Sequence, residues 1–348
     1  MASITASAPP HVTCVGEALV VLSAQRGPLE TAITFTRGAA GAEVNVATVL
    51  ASLGMATSVI TRVGEDGFGR YLATHLAEAG VDTAGIVVDS CHPTGLYIKE
   101  RGGGTTHPDD LPLAGSRMLY YRRDSAGAAL TVDDLLRPPV ARVLNSTNLV
   151  HLSGITPALS DTARELVTHL VHGRHRCSFD LNHRPALWPD ARSAADVLAD
   201  CVRSSSIVLM GLDEADAVFG TGTPAQIRAE FPEPEYLVVK NDAHHVTGFH
   251  QDVVVEVPSL TVDVIEKIGA GDAFAGGFLA GVITGTKIEH ALRMGHICAA
   301  STLSTTGDAA APPQAELTRL LGLTEERWRT AHFTNSPTED HQRGIPTP

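Results

Sequence analysis

From about residue 147 onward the chain repeats one rhythm, a short apolar run followed by a longer segment with helical spacing. Thr147–Leu152, Arg176–Asp180, Ser206–Met210 and Tyr236–Val239 read as strands. Between them Ala158–His172, Ala191–Arg203, and Asp213–Phe219 with Gln226–Phe231 read as helices. Strands separated by helices are joined by crossovers, which connect parallel neighbours. The pattern therefore predicts an α/β fold with a doubly wound, mostly parallel central sheet flanked by helices. Sheets of this kind bind ligands beyond the carboxyl ends of their strands. Polar and small residues stand at those ends: Ser153 and Gly154, then Asp180, Asn182 and Arg184, then Asp213 and Glu214, then Lys240 and Asn241. The amino-terminal part begins the same way, with a strand at His11–Gly16 and a helix at Glu43–Leu53. In that helix Val46, Val49, Leu50 and Leu53 fall at i, i+3, i+4 and i+7, and Gly54 ends it. Ser58–Val63 then reads as a strand and Phe68–Ala79 as a helix stopped by Gly80.

Two segments break the rhythm. Thr94–Glu100 and Arg117–Arg123 look like strands joined by a loop containing Gly102–Gly104 and Asp109-Asp110, with no crossover helix, so they are expected to pair antiparallel. Together with residues 18–37 they are expected to form a small β-layer over the ligand edge of the sheet. This gives one domain over residues 11–325 with lid segments at 18–37 and 94–124. Residues 1–10 and 326–348, rich in Thr, Pro, Glu and His, are expected to be flexible tails. A chain of 348 residues with 43% apolar content can bury a large core. Its net charge of −13 argues against nucleic acid as a partner, because a phosphate backbone demands clustered Lys and Arg. The five cysteines are scattered and odd in number, which suggests reduced thiols. No run of roughly 18 apolar residues suggests a membrane span, and the first ten residues do not resemble a signal peptide. A cytoplasmic protein is the expectation.

The chemistry concentrates at Glu266–Ala275, which reads Glu-Lys-Ile-Gly-Ala-Gly-Asp-Ala-Phe-Ala. Gly269 and Gly271 permit a tight turn that approaches a ligand closely, and Ala273–Ile283 reads as the helix that follows. The first amides of a helix lack partners and favour an anion. A carboxylate beside such a turn suits phosphoryl transfer to an alcohol: the amides of Gly269, Ala270 and Gly271 would hold the moving phosphoryl group while Asp272 takes the hydroxyl proton. A helix that merely starts near an Asp would show the same four residues. A Walker A sequence is absent, since Gly281–Lys287 misplaces its glycine and lysine, and none of the sixteen histidines forms a zinc-binding set.

Two distant segments together resemble the ribokinase, or PfkB, family of sugar kinases. Gly41–Ala47, Leu53-Gly54 and Val63–Gly69 resemble its amino-terminal signature, and Gly269–Asp272 its carboxyl-terminal one. The resemblance covers residues 11–315. It implies a ribokinase-like fold with a β-sheet lid, ATP with Mg²⁺ as the phosphoryl source, and Asp272 as base above a Gly269–Gly271 anion hole. Several runs, among them Gly95-Leu96-Tyr97, Tyr120–Ala126, His151–Thr156 and Asp180–Arg184, are most similar to the branch that acts on 2-keto-3-deoxygluconate. That similarity implies Arg122 and Arg184 at the carboxylate or keto end of the substrate. It places Gly41, Ala42, Asn45, Tyr97, Tyr120 and Asp308 along its chain. Gly211, Glu214, Lys240, Asn241 and Ser301 would join Gly269–Gly271 at the nucleotide, with Glu214 as a ligand for magnesium. The lid strands are expected to pair with those of a second subunit, giving a homo-oligomer, a dimer or higher, through the lid.

On the residues alone, several of these positions have a second reading. Tyr120 and Tyr121 fit packing residues of an apolar strand. Arg122 fits a solvated lid residue, Arg184 fits a partner for Asp180 or Asp190, and Asp308 fits a local turn after Gly307. Asn45 inside a helix costs propensity, which favours a role for its side chain. The chain also departs from the family pattern, with Glu266-Lys267 where Asp-Thr is common, Gly211 where Asn is common, and no glycines in Lys240–His245. Two rivals follow: a kinase for a neutral sugar such as fructose or ribose, and a sugar-acid or nucleotide sensor weakened in catalysis.

Overall fold

The computed structural model describes residues 10–113 and 115–335. The chain opens with β1 (His11–Val15), β2 (Leu19–Ala24) and β3 (Phe35–Ala40), then α1 (Ala42–Ser52), β4 (Ala56–Gly64), α2 (Gly67–Glu78) and β5 (Asp82–Asp89). Next come β6 (Leu96–Arg101), β7 (Ser116–Tyr121) and α3 (Pro138–Ser146). The alternating half holds β8 (Leu149–Ser153), α4 (Asp161–Val171), β9 (Cys177–Asp180), α5 (Ala191–Ser204), β10 (Ile207–Gly211), α6 (Leu212–Phe219), α7 (Pro224–Glu230) and β11 (Tyr236–Asn241). The hairpin β12 (His245–His250) and β13 (Val253–Pro258) precedes α8 (Ala270–Ile283), α9 (Ile288–Leu303), α10 (Gln314–Leu321) and α11 (Glu325–Trp328).

Nine strands form the central sheet in the order β13-β12-β11-β10-β9-β8-β1-β4-β5. Every pairing from β11 to β5 is parallel, while β12 and β13 add an antiparallel edge. The strands are apolar on both faces, as a sheet covered on both sides requires. Leu149, Ile207, Leu209 and Val238 point to one core layer, and their neighbours Val150, Val208, Met210 and Val239 point to the other. On the first face α8 lies against α1 and α9, so closely that a Cβ on Gly277 would stand 2.5 Å from the Met294 carbonyl oxygen. On the second face α4 and α5 contribute Leu166, Leu170, Leu198 and Val202 to the other core layer.

The second sheet, β3-β2-β6-β7, is the expected lid. β6 and β7 pair antiparallel, as their loop implied, and β2 joins β6 in parallel. Residues 326–335 depart from expectation. Instead of a flexible tail they pack onto the body, with Trp328 1% exposed and its indole N–H donating to the Pro258 carbonyl at 2.8 Å. Phe333 is buried as well, and its amide donates to the Thr261 carbonyl at 2.9 Å. Two large aromatic rings outweigh the polar composition around them. The rest of the expected tails, residues 1–9 and 336–348, lies outside the described residues.

Candidate active site

Gly269 introduces α8 with φ of 80°, in the left-handed region, and a Cβ there would lie 1.8 Å from the Asp308 carbonyl oxygen. No other residue fits this position. The turn it makes leaves the amides that head α8 without intrahelical partners and presents Asp272 on the first helical turn. Lys240, at the end of β11, brings its ammonium beside Gly271, 3.8 Å from where a Cβ would be. An anion resting on the turn would therefore meet helix amides and a cation together.

Two amides hold Asp272. The Nδ2 of Asn45, on α1, donates to one carboxylate oxygen at 2.8 Å, and the Nδ2 of Asn182, just past β9, donates to the other at 3.3 Å. Burial pushes the Asp272 carboxyl up to about 7, and the neighbouring Asp180 adds to the rise; Asn45, Lys240 and Arg184 oppose it. A carboxyl with that value is a usable base near neutral pH. Asp180 itself is gripped through both oxygens by Lys240, at 3.2 and 2.9 Å.

The walls are set by buried carboxylates. Glu43 accepts from the Ser153 amide and hydroxyl and from the Thr156 hydroxyl, at 3.1, 2.7 and 2.9 Å, which ties α1 to the end of β8 and fixes the register of Asn45. Glu17 accepts from Arg122 at 2.8 Å and Ser125 at 3.4 Å. Burial raises the carboxyl of each above the ordinary range. Arg122 is thus 10% exposed rather than solvated, its guanidinium stacks over Tyr120 at 4.3 Å, and its buried Nε has no hydrogen-bond partner among the described residues. Arg184 pairs weakly with Glu214 at 3.5 Å, and with neither Asp180 nor Asp190. Tyr120 and Tyr121 are exposed, so neither is a core residue. Tyr97, on lid strand β6, is buried, and its hydroxyl donates to the Asp308 carboxylate, which also receives Lys99 at 2.9 Å. Asp308 therefore does more than shape a turn.

These groups enclose a cleft of 280 Å³ between the lid and the strand ends. Of the residues singled out from the sequence, Gly41, Ala42, Asn45, Tyr97, Tyr120, Arg122, Arg184, Glu214, Lys240, Gly269, Gly271, Asp272 and Asp308 line it. Ala270, Gly211, Asn241 and Ser301 do not. The Gly211 amide is occupied by the Glu214 carboxylate at 3.0 Å, and Ser301 is buried inside α9. Glu17 and Glu43, which line the cleft, and Lys99 and Glu266, which do not, were not anticipated. Only Glu43 carried a signal, as a charged residue within the otherwise largely apolar α1; Glu17 and Glu266 lie in loops.

A doubly wound sheet with a β-lid, a glycine turn heading a helix and a carboxylate on that helix's first turn define a carbohydrate kinase, and the comparisons with known proteins agree. Residues 9–315 match the model of the pfkB family of carbohydrate kinases, and the chain belongs to that family. It is 33% identical over 307 residues to the 2-dehydro-3-deoxygluconokinase of Thermoproteus tenax, covering 87% of this chain and 91% of that one. Among solved structures it resembles a PfkB protein from Polaromonas sp. JS666, at 30% identity and a TM-score of 0.76, over 89% of this chain and 99% of the other. It also resembles the fructokinase with bound ATP from Xylella fastidiosa, at 26% identity and a TM-score of 0.74, over 89% and 97% of the two chains. Among the described residues no helix is long and apolar enough to cross a membrane.

Proposed function

We propose that this kinase transfers the γ-phosphoryl group of ATP to the terminal hydroxyl of 2-keto-3-deoxygluconate or a close sugar acid. The observation that carries the acidic substrate is that two guanidinium groups, Arg122 and Arg184, line one cleft. A carboxylate meets a planar guanidinium fork better than a hydroxyl does. Arg122 is already paired with Glu17, whereas Arg184, from the loop after β9, is held only weakly, by Glu214 at 3.5 Å. The similarity to the Thermoproteus tenax enzyme supports the same substrate, and the ATP-bound structural neighbour supports ATP.

In this reading Asp272 removes the proton from the sugar's terminal hydroxyl as that oxygen attacks phosphorus. Asn45 and Asn182 keep both carboxylate oxygens aimed into the cleft. The amides of Gly269–Gly271, with Lys240 beside them, take up the charge that spreads over the phosphoryl oxygens. The lid carries Tyr97, Tyr120 and Arg122 against the sugar, which excludes water and orders the two reactants. Magnesium would be held through Glu214, whose Oε1 is held only weakly by Arg184, and would supply charge neutralisation for the nucleotide phosphates.

The test is ADP release with Mg-ATP against 2-keto-3-deoxygluconate, gluconate, fructose, ribose and adenosine. Saturable turnover confined to the keto-deoxy acid is expected. Preference for fructose or ribose would discard the acidic substrate while keeping the kinase. Nucleotide binding without turnover on any of the five would favour a sensor.

A further inference from the structure

Lys99 is 1% exposed, which is rare for a lysine and costly unless its charge is matched. It belongs to β6, in the lid, yet both of its carboxylate partners belong to the body. Its ammonium lies 2.9 Å from Asp308 and 3.5 Å from Glu266. Glu266 stands three residues before Gly269, on the segment that leads into the glycine turn. Asp308 touches the turn from the other side, with its carbonyl oxygen packed against Gly269. The two carboxylates therefore bracket the turn, and one lysine from the lid holds both. Tyr97, two residues earlier and on the same face of β6, donates to the second oxygen of Asp308 and also lines the cleft. Lys99 itself does not line the cleft.

We propose that Lys99 is a positioning residue that couples closure of the lid over the sugar to the placement of the Gly269–Gly271 turn for the phosphoryl group. The inference rests on the reading above, in which that turn receives the transferring group. Separating β6 from the body would leave an uncompensated charge in a dry site, so the lid and the turn shift together or not at all. A sugar that presses on Tyr97 and the lid then moves Glu266 and Asp308 through Lys99. Coupling of this kind is reciprocal, with nucleotide tightening sugar by the same factor as sugar tightens nucleotide.

The experiment is calorimetric binding of a non-hydrolysable ATP analogue with Mg²⁺, with and without saturating 2-keto-3-deoxygluconate. Fructose replaces the acid if fructose is the sugar turned over. In the native protein the sugar should tighten the analogue roughly 5–150-fold. In Lys99→Met that factor should fall to about 2-fold or less while each ligand alone binds nearly as before, and in Lys99→Arg, which keeps the charge, it should persist. Should the Met variant not fold, Glu266→Gln cuts one of the two tethers and should lower the factor. A lysine that only stabilises the fold would change stability and leave the coupling intact. Native coupling in Lys99→Met or in Glu266→Gln overturns the proposal, as does a native protein that binds both ligands independently. Coupling seen with fructose alone overturns the acidic substrate and leaves Lys99 in its role.

Discussion

The acidic side chains around the cleft are held in two different ways. Asp180, Glu214, Glu17 and Asp308 each face a cation, supplied by Lys240, Arg184, Arg122 and Lys99 respectively. Asp272 is oriented by two neutral amides. An amide aims a carboxylate without cancelling its charge, so its affinity for a proton survives. Because burial holds this carboxyl at about 7, kcat/KM should rise with pH and level off above that value, the protonated form below it being inactive. Asp272→Asn should lower turnover by at least ~10²–10⁴-fold while nucleotide affinity barely changes. An unaltered rate in that variant would remove Asp272 from its role. The same substitution should stabilise the fold at high pH. The folded state holds this proton to about 7, whereas an unperturbed carboxyl titrates near 3.8, so native stability is lost as pH rises between those values. Thermal melts of both proteins from pH 4 to 8 would show the gap open over that range. Asp272 was legible because its neighbours Gly269–Gly271 are local in sequence. Lys99 was not, because a lysine in an alternating strand reads as a solvent-facing residue and its partner Asp308 lies 209 residues away.

Helix α8 carries the proposed base at one end and the fit of the domain along the rest. Its residues from Ala273 to Val282 are buried without interruption, so it is apolar all round rather than amphipathic. Gly277→Val would drive methyl groups into the α9 backbone at Met294 and the Cys298 sulfur. A loss of roughly 1–3 kcal/mol is expected from such overpacking, measurable by urea titration, together with lower activity because the helix start moves with the helix. The alternating strands and helices were readable since each has a single period over its length. Strand β5 was hidden by the acids at its ends and by Gly85, as befits the sheet's edge. In α9 the buried Arg293, His296 and Thr302 interrupt the apolar pattern, and their burial depends on partners elsewhere: the Leu323 and Val257 carbonyls and the Ala310 amide. The hairpin β12–β13 turns through Gln251 at φ of 53°, without the glycine that would have announced it.

Across the whole molecule the chain closes on itself late. Trp328 packs beside Phe333 in the core layer that also holds α8 and α9, with the Arg293 guanidinium 4.9 Å from its ring. Trp328→Ala should therefore cost about 3–5 kcal/mol in chemical denaturation, as for a large core aromatic, whereas a dispensable tail would cost almost nothing. Composition concealed this, since two aromatic anchors among charged neighbours leave the average polar. The division between lid and body has a consequence for how such a protein can change over generations. Tyr97, Tyr120 and Arg122, proposed to meet the acceptor, sit on or just beyond two lid strands, while the turn and the proposed base belong to a helix anchored in the core. Substitutions at Tyr120 and Arg122, which lie off the link from Lys99 to the turn, can retune which alcohol is accepted and leave the phosphoryl machinery in place, so selection can explore new sugars from an enzyme that still works.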